Sequence, residues 1–158
     1  MKIRIKIVIT SILIVFTTYL TIAQNVPQAH KDSLEIVVKK YYDMNLETFQ
    51  ANSTISDIDN IFKLFTDDFT YVHPKYGGIY SRRDLYKGYV RNQRNGDYNG
   101  EIVDIKLRNI ILGLNVAVVE RIYLLNDSEN HTEGEPQVTL FEFKKDNTDQ
   151  PTSLYLEV

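Results

Sequence analysis

The chain changes its hydrophobic period once. Up to Asn95 its apolar residues recur mostly at helical spacing, and from Glu101 to the last residue they alternate as strands do. A chain that spends its helices first and its strands last does not supply the alternating units of a doubly wound parallel sheet. It supplies a strand meander with helices on one face, so the expected class is α+β with an antiparallel sheet.

The elements can be placed from their ends. Asp32 and Glu35 form a capping-box-like pair for a helix over Ser33–Phe49, whose stripe is Leu34, Val37, Val38, Tyr41, Met44 and Thr48. Ser56 with Asp59 marks a second helix, with Ile58, Ile61, Phe62 and Phe65 facing inward. Phe69–His73 alternates as a strand that Pro74 ends, and Lys75–Tyr80 reads as a turn around Gly77-Gly78. Ser81 caps a third helix with Asp84 as its partner, and Asn95-Gly96 closes it. Strands follow at Glu101–Leu112, Val116–Asn126, Pro136–Lys145 and Thr152–Val158. Gly113-Leu114-Asn115 turns the first hairpin, and Asp127–Glu135 is a polar loop.

The first residues read as an address. Lys2, Arg4 and Lys6 precede an apolar run, Ile7–Phe16, and Thr21-Ile22-Ala23 presents small residues for cleavage. The run carries several threonines and is short for a membrane span, so a cleaved signal peptide over 1–24 is expected. A polar, flexible segment (25–31) and one domain (32–158) follow. Removing the three cations takes the net charge from -3 to -6. The expected location is periplasmic or secreted, with no membrane attachment after cleavage.

Composition excludes several chemistries. Without cysteine there is no disulfide frame, thiol nucleophile or thiolate metal site. His30, His73 and His131 are scattered without metal-ligand spacing, and no cofactor is expected. An acidic balance disfavours nucleic acid as a partner. Neither a P-loop nor a GxSxG elbow is present.

The helix containing YYDMN, then DIDNIFKLFTDDFTYVHP, GGIYSRRDLYKGY, NVAVVERIYLL and QVTLFEF, together resemble the nuclear transport factor 2-like superfamily, which includes SnoaL-like and ketosteroid-isomerase-like proteins. The resemblance spans roughly Asp32–Lys145 and is spread over degenerate patterns. It implies a cone: a curved antiparallel sheet wrapped around three helices, with a pocket at the wide end. It also implies a homodimer formed through the outer sheet face. Members often end in a strand with an aromatic that closes the pocket, whereas this chain ends DNTDQPTSLYLEV.

Candidate site residues follow from both sources. Phe69, Tyr71 and His73 share one strand face. His73 is a candidate base, or a strand-end histidine bonded to the next turn. The resemblance implies a helix tyrosine as an oxyanion donor, and Tyr41 fits that place; it also fits a core aromatic. Glu120 and Arg121 are adjacent in a strand with apolar residues on both faces, so either can enter the pocket. Tyr86 and Tyr89 are expected to line it. Arg82 and Arg83 oppose the helix dipole and read as an anion site or a solvated face.

Three functional readings remain open. The first is an exported domain binding a small apolar or aromatic molecule. The second is a cofactor-independent acid/base enzyme (lyase, isomerase or hydrolase) using His73, Glu120 and Tyr41 as catalytic residues, with Phe69, Tyr71, Tyr86, Tyr89 and Arg121 lining its pocket. The third is an interaction module working through its outer sheet face.

Overall fold

The structure is a computed structural model, which describes residues 26–73, 77–126, 131–144 and 151–157. The leader, Pro74–Tyr76 and the turn before the last strand lie outside the described residues. Three helices come first: α1 (Gln28–Thr48), α2 (Ile55–Phe62) and α3 (Arg82–Asn95). The hairpin β1 (Thr70–His73) and β2 (Gly78–Ser81) sits between α2 and α3. After α3 come β3 (Ile102–Leu112), β4 (Val116–Asn126), the short β5 (His131–Glu133), β6 (Gln137–Phe143) and β7 (Pro151–Glu157).

The strands form one sheet in the order β2-β1-β7-β6-β4-β3, with β5 also on β4. Every ladder is antiparallel except β1–β7, which is parallel because the last strand returns between β6 and the early hairpin. Register shifts in β3 at Ile102/Asp104 and Leu107/Asn109 bend that long strand, as bulges do. The result is the expected α+β architecture of three helices and a curved sheet.

Two helix starts differ from the sequence reading. α1 begins at Gln28, after Pro27, whose φ of -55 is already helical. Gln28 Nε2 then donates to Asp32 Oδ1 at 2.7 Å, and Glu35 pairs with Lys39 at 2.5 Å, so both acids lie within the helix and do not cap it. His30 binds the carbonyl of Leu114 in the β3–β4 hairpin, anchoring this added turn. The segment expected to be flexible thus becomes helical from residue 28. In α2 the cap is Thr54, whose backbone N–H donates to Asp57 Oδ2 at 2.7 Å. This is the expected chemistry two residues early, because Thr54-x-x-Asp57 satisfies the same spacing as Ser56-x-x-Asp59.

Gly77 is the expected turn residue, at φ 67, and β2 begins at Gly78. A Cβ at Gly78 would stand 2.7 Å from the Tyr80 ring, so only glycine lets that ring lie back along the strand. α3 starts as expected: Ser81 Oγ accepts from the Asp84 amide at 3.2 Å and donates to its carboxylate at 2.7 Å. Gly96, at φ 77, supplies the left-handed cap. Ser81→Ala is expected to cost about 1 kcal/mol, read as a lower urea midpoint. An unchanged midpoint would show that the cap contributes nothing.

The core lies between α1, α2 and the inner sheet face. Leu34, Val38, Ile58, Ile61, Phe69, Ala117, Val119 and Phe141 are almost wholly buried there. Inward positions alternate along β4 (Ala117, Val119, Arg121, Tyr123) and β6 (Gln137, Thr139, Phe141, Phe143), and the cross-strand pair Arg121–Gln137 puts both on one face. Arg82 serves the structure, since its Nη2 donates to the Phe62 carbonyl at 2.8 Å and so satisfies the end of α2.

Candidate functional site

α3 has a helical stripe but no buried residue. Its inward positions Leu85 and Tyr89 pack against the edge of the core and, with Gly88 and Asn92, border an open space. That space is a cavity of about 1020 Å³ between α3 and the inner sheet face. Its floor is Arg121 and Tyr123 from β4 with Gln137 and Thr139 from β6. Tyr41 and Asn45 on α1 and Phe49 at its C-cap, four residues apart, form one wall. Phe65, whose ring lies 5.9 Å from that of Tyr41, continues the lining with Phe69, Tyr71, His73 and Tyr80, and Tyr98 follows beyond α3. Asp84, Lys87 and Arg91 stand exposed at the rim.

The rings hold one another in place. Phe65 and Phe69 stack at 4.0 Å, Tyr71 meets His73 edge-on at 5.8 Å, and Phe49 contacts Tyr98 and Tyr123 at 5.6 and 6.0 Å. Tyr89 donates to Asn45 Oδ1 at 3.2 Å, tying α3 to α1 across the cavity. Such rigid, offset and edge-on contacts fix a concave aromatic surface without filling it.

Four phenols of this cavity, Tyr41, Tyr89, Tyr98 and Tyr123, are held protonated. Burial pushes Tyr41 and Tyr89 well above the usual tyrosine range, reinforced by neighbouring tyrosines. Burial also raises Tyr98, to about 12, and Tyr123, the latter opposed by Arg121. At neutral pH these groups are donors, and none of them can serve as a base.

Arg121 is the one charged group of this floor. It is only 5% exposed. Its Nε reaches Thr139 Oγ1 at 3.5 Å, a long contact, and its Nη1 is buried without a hydrogen-bond partner. Its faces lie on Tyr123 at 4.2 Å and Tyr42 at 5.7 Å. Burial lowers its pKa, but the surrounding tyrosines, Tyr123 foremost, more than offset this, so it stays charged.

No protein-family model matches this sequence, and no curated protein sequence does. The structure, however, is similar to solved ones. A protein proposed to be a SnoaL-like polyketide cyclase from Shewanella putrefaciens aligns with a TM-score of 0.57 at 13% identity, covering 84% of this chain and 80% of that one. An LEH-like epoxide hydrolase from M. tuberculosis aligns at 0.56 and 16%, covering 82% and 84%. An NTF-2 like protein of unknown function from Burkholderia xenovorans aligns at 0.55 and 13%, covering 81% and 84%. The chain has the nuclear transport factor 2-like fold. At these identities the likeness is one of fold, and a fold hosts many functions.

Within this nuclear transport factor 2-like domain, the cavity gathers Tyr41, Phe69, Tyr71, His73, Tyr89 and Arg121. Two candidates lie elsewhere. Tyr86 packs edge-on against Phe62 at 5.1 Å and donates to Asp59 Oδ1 at 2.7 Å, bracing α3 on α2 from the flank of the helix. Glu120 is half-buried on the opposite sheet face, because strand alternation gives the inner place to its neighbour Arg121. Sequence reasoning missed Asn45, Tyr98, Tyr123, Gln137 and Thr139. Asn45 was detectable as a polar residue one turn after Tyr41 on the buried stripe. Gln137 and Thr139 were detectable as polar members of the Phe141–Phe143 face. Among the described residues, no group of three His, Cys, Asp or Glu side chains is placed to hold a metal, and no helix is long and apolar enough to cross a membrane.

Proposed function

We propose that this chain is a small-ligand-binding domain of the SnoaL-like type, whose cavity takes an apolar or aromatic molecule. One observation carries this reading: the fold leaves about 1020 Å³ of aromatic-walled space with a few inward polar groups. That lies at the upper end of the roughly 300–1,000 Å³ usual for small-molecule sites. The similar structures named as a cyclase and an epoxide hydrolase add support, since both names imply small organic molecules.

Binding is better supported than acid/base catalysis. Glu120 lies away from the cavity, and the phenols of Tyr41 and Tyr89 are held protonated. His73 is left as the one base among the proposed catalytic groups. In this proposal the leader takes the protein to the periplasm or beyond. Two copies would pair through the outer sheet face, where Ile111 and Val138 are exposed.

Gly88 provides the test. It lines the cavity, and a Cβ built there meets nothing within 4 Å. Gly88→Leu should therefore project its side chain from α3 into the cavity and narrow it. It should also raise helix stability by up to about 1 kcal/mol. Calorimetric titration of neutral β-naphthamide is expected to show binding to the native chain and at least a tenfold loss, about 1.4 kcal/mol, in Gly88→Leu. No binding to the native chain, or unchanged affinity in the variant, would remove this reading.

A further inference from the structure

We infer that the ligand of this cavity carries a carboxylate, received at the floor by Arg121. The inference rests on the ligand-binding reading above and specifies its chemistry. A buried cation persists at high cost unless something pairs with it. Among the described residues, no carboxylate forms an ion pair with Arg121. Glu120, the nearest acid in sequence, lies on the other face of β4.

The geometry says which part of Arg121 is unsatisfied. Tyr123 and Tyr42 lie against the guanidinium as cation–π partners. Such rings interact with its flat faces, and their hydroxyls also interact with it, while Nη1 is left available. In the guanidinium plane Nε has one long contact with Thr139, and Nη1 has none. A planar edge of N–H donors is the complement of a planar pair of oxygens, and two parallel hydrogen bonds join them.

The neighbours agree in kind. Gln137, the cross-strand partner of Arg121, has a buried Oε1 without a hydrogen-bond partner. A half-turn of its amide presents two further donors to the same place. Tyr41 and Tyr123 are held protonated and are therefore donors as well. The floor is thus rich in donors and lacks a charged acceptor, so it suits an anion and disfavours a cationic ligand.

Charge around the cavity repeats the pattern. The whole chain carries -3. The cavity nonetheless holds Arg121, Lys87 and Arg91 against one acid, Asp84. Asp84 is already engaged by Ser81 and, at 4.0 Å, by Lys87. An aromatic body between the walls with its carboxylate on Arg121 would satisfy both the apolar surface and the unpartnered Nη1. A dianionic phosphate would need more cationic groups at the floor than one.

The test compares β-naphthoate with neutral β-naphthamide by calorimetric titration of the full chain. The native protein is expected to bind the acid about tenfold or more tightly than the amide. In Arg121→Gln that preference should vanish while the amide still binds. Arg121→Lys keeps the charge without the fork and should fall between the two. If Arg121→Gln does not fold, the native comparison and Arg121→Lys still decide. Equal affinities in the native chain would overturn the carboxylate anchor and leave the cavity reading standing. Failure of both probes would overturn both. A preference that survives in Arg121→Gln but disappears in Arg91→Gln would place the anion at the rim and overturn the role of Arg121.

Discussion

Phe141→Ala is expected to destabilise the fold by about 3–5 kcal/mol. Phe141 is fully buried on the inner face of β6. Its ring meets Tyr41 at 5.2 Å and Tyr42 at 5.8 Å, both edge-on, and Phe143 at 6.3 Å. It therefore joins α1 to the sheet beside the cavity. Truncation removes apolar burial and leaves a void that the two tyrosines, held in the helix, cannot close. A domain of this kind has about 5–15 kcal/mol in total, so the loss is a large fraction of it. Urea unfolding should show a much lower midpoint at unchanged slope. Ile36→Ala, on the exposed side of α1, should stay within about 0.5 kcal/mol. Equal effects at the two sites would mean that the inner face is not the core.

The second large effect is alkaline. Burial raises Tyr42 to about 12, opposed by Arg121 and Thr139, and raises Tyr41 and Tyr89 well above the usual tyrosine range. In the unfolded chain these phenols ionise near 10. Between 10 and the folded values the unfolded state releases protons that the native state retains, so stability falls as pH rises. The contribution is complete below about pH 10 and is lost through the folded pKa values. For Tyr42 alone a shift of two units corresponds to about 3 kcal/mol. Urea midpoints should hold steady up to about pH 9 and fall steeply by about pH 11. The ultraviolet phenolate signal of the buried tyrosines should rise together with unfolding. A native protein whose tyrosines all titrate near 10 with no loss of stability would show that they are not buried.

Much of this architecture was legible in the sequence because it follows from local chemistry. Ser81-x-x-Asp84 and Gly96 bound α3 in both sequence and structure. The single switch of hydrophobic period placed helices first and sheet afterwards. The exceptions have non-local causes. The first turn of α1 depends on a contact between His30 and Leu114, 84 residues away. The parallel place of β7 depends on where the hairpin β1–β2 lies.

The site was half legible for the same reason. Alternation in the strand around Tyr71 grouped Phe69, Tyr71 and His73 correctly, because alternate residues in a strand share a face. It could not choose between Glu120 and Arg121, since apolar residues occupy both faces of β4. That choice is made by what lies opposite: Tyr42, Thr139 and Gln137, each on another element than β4. Tyr86 had the right helix but the wrong side, because α2 occupies that flank and Asp59 takes its hydroxyl.

The most direct test of the cavity as the binding site is nuclear magnetic resonance of the purified chain with β-naphthamide. Intermolecular Overhauser contacts are expected from the naphthalene protons to Phe69, Tyr89 and Tyr123. Contacts confined to Ile111 and Val138 would place the working surface on the outer sheet face, and would contradict the cavity as the site.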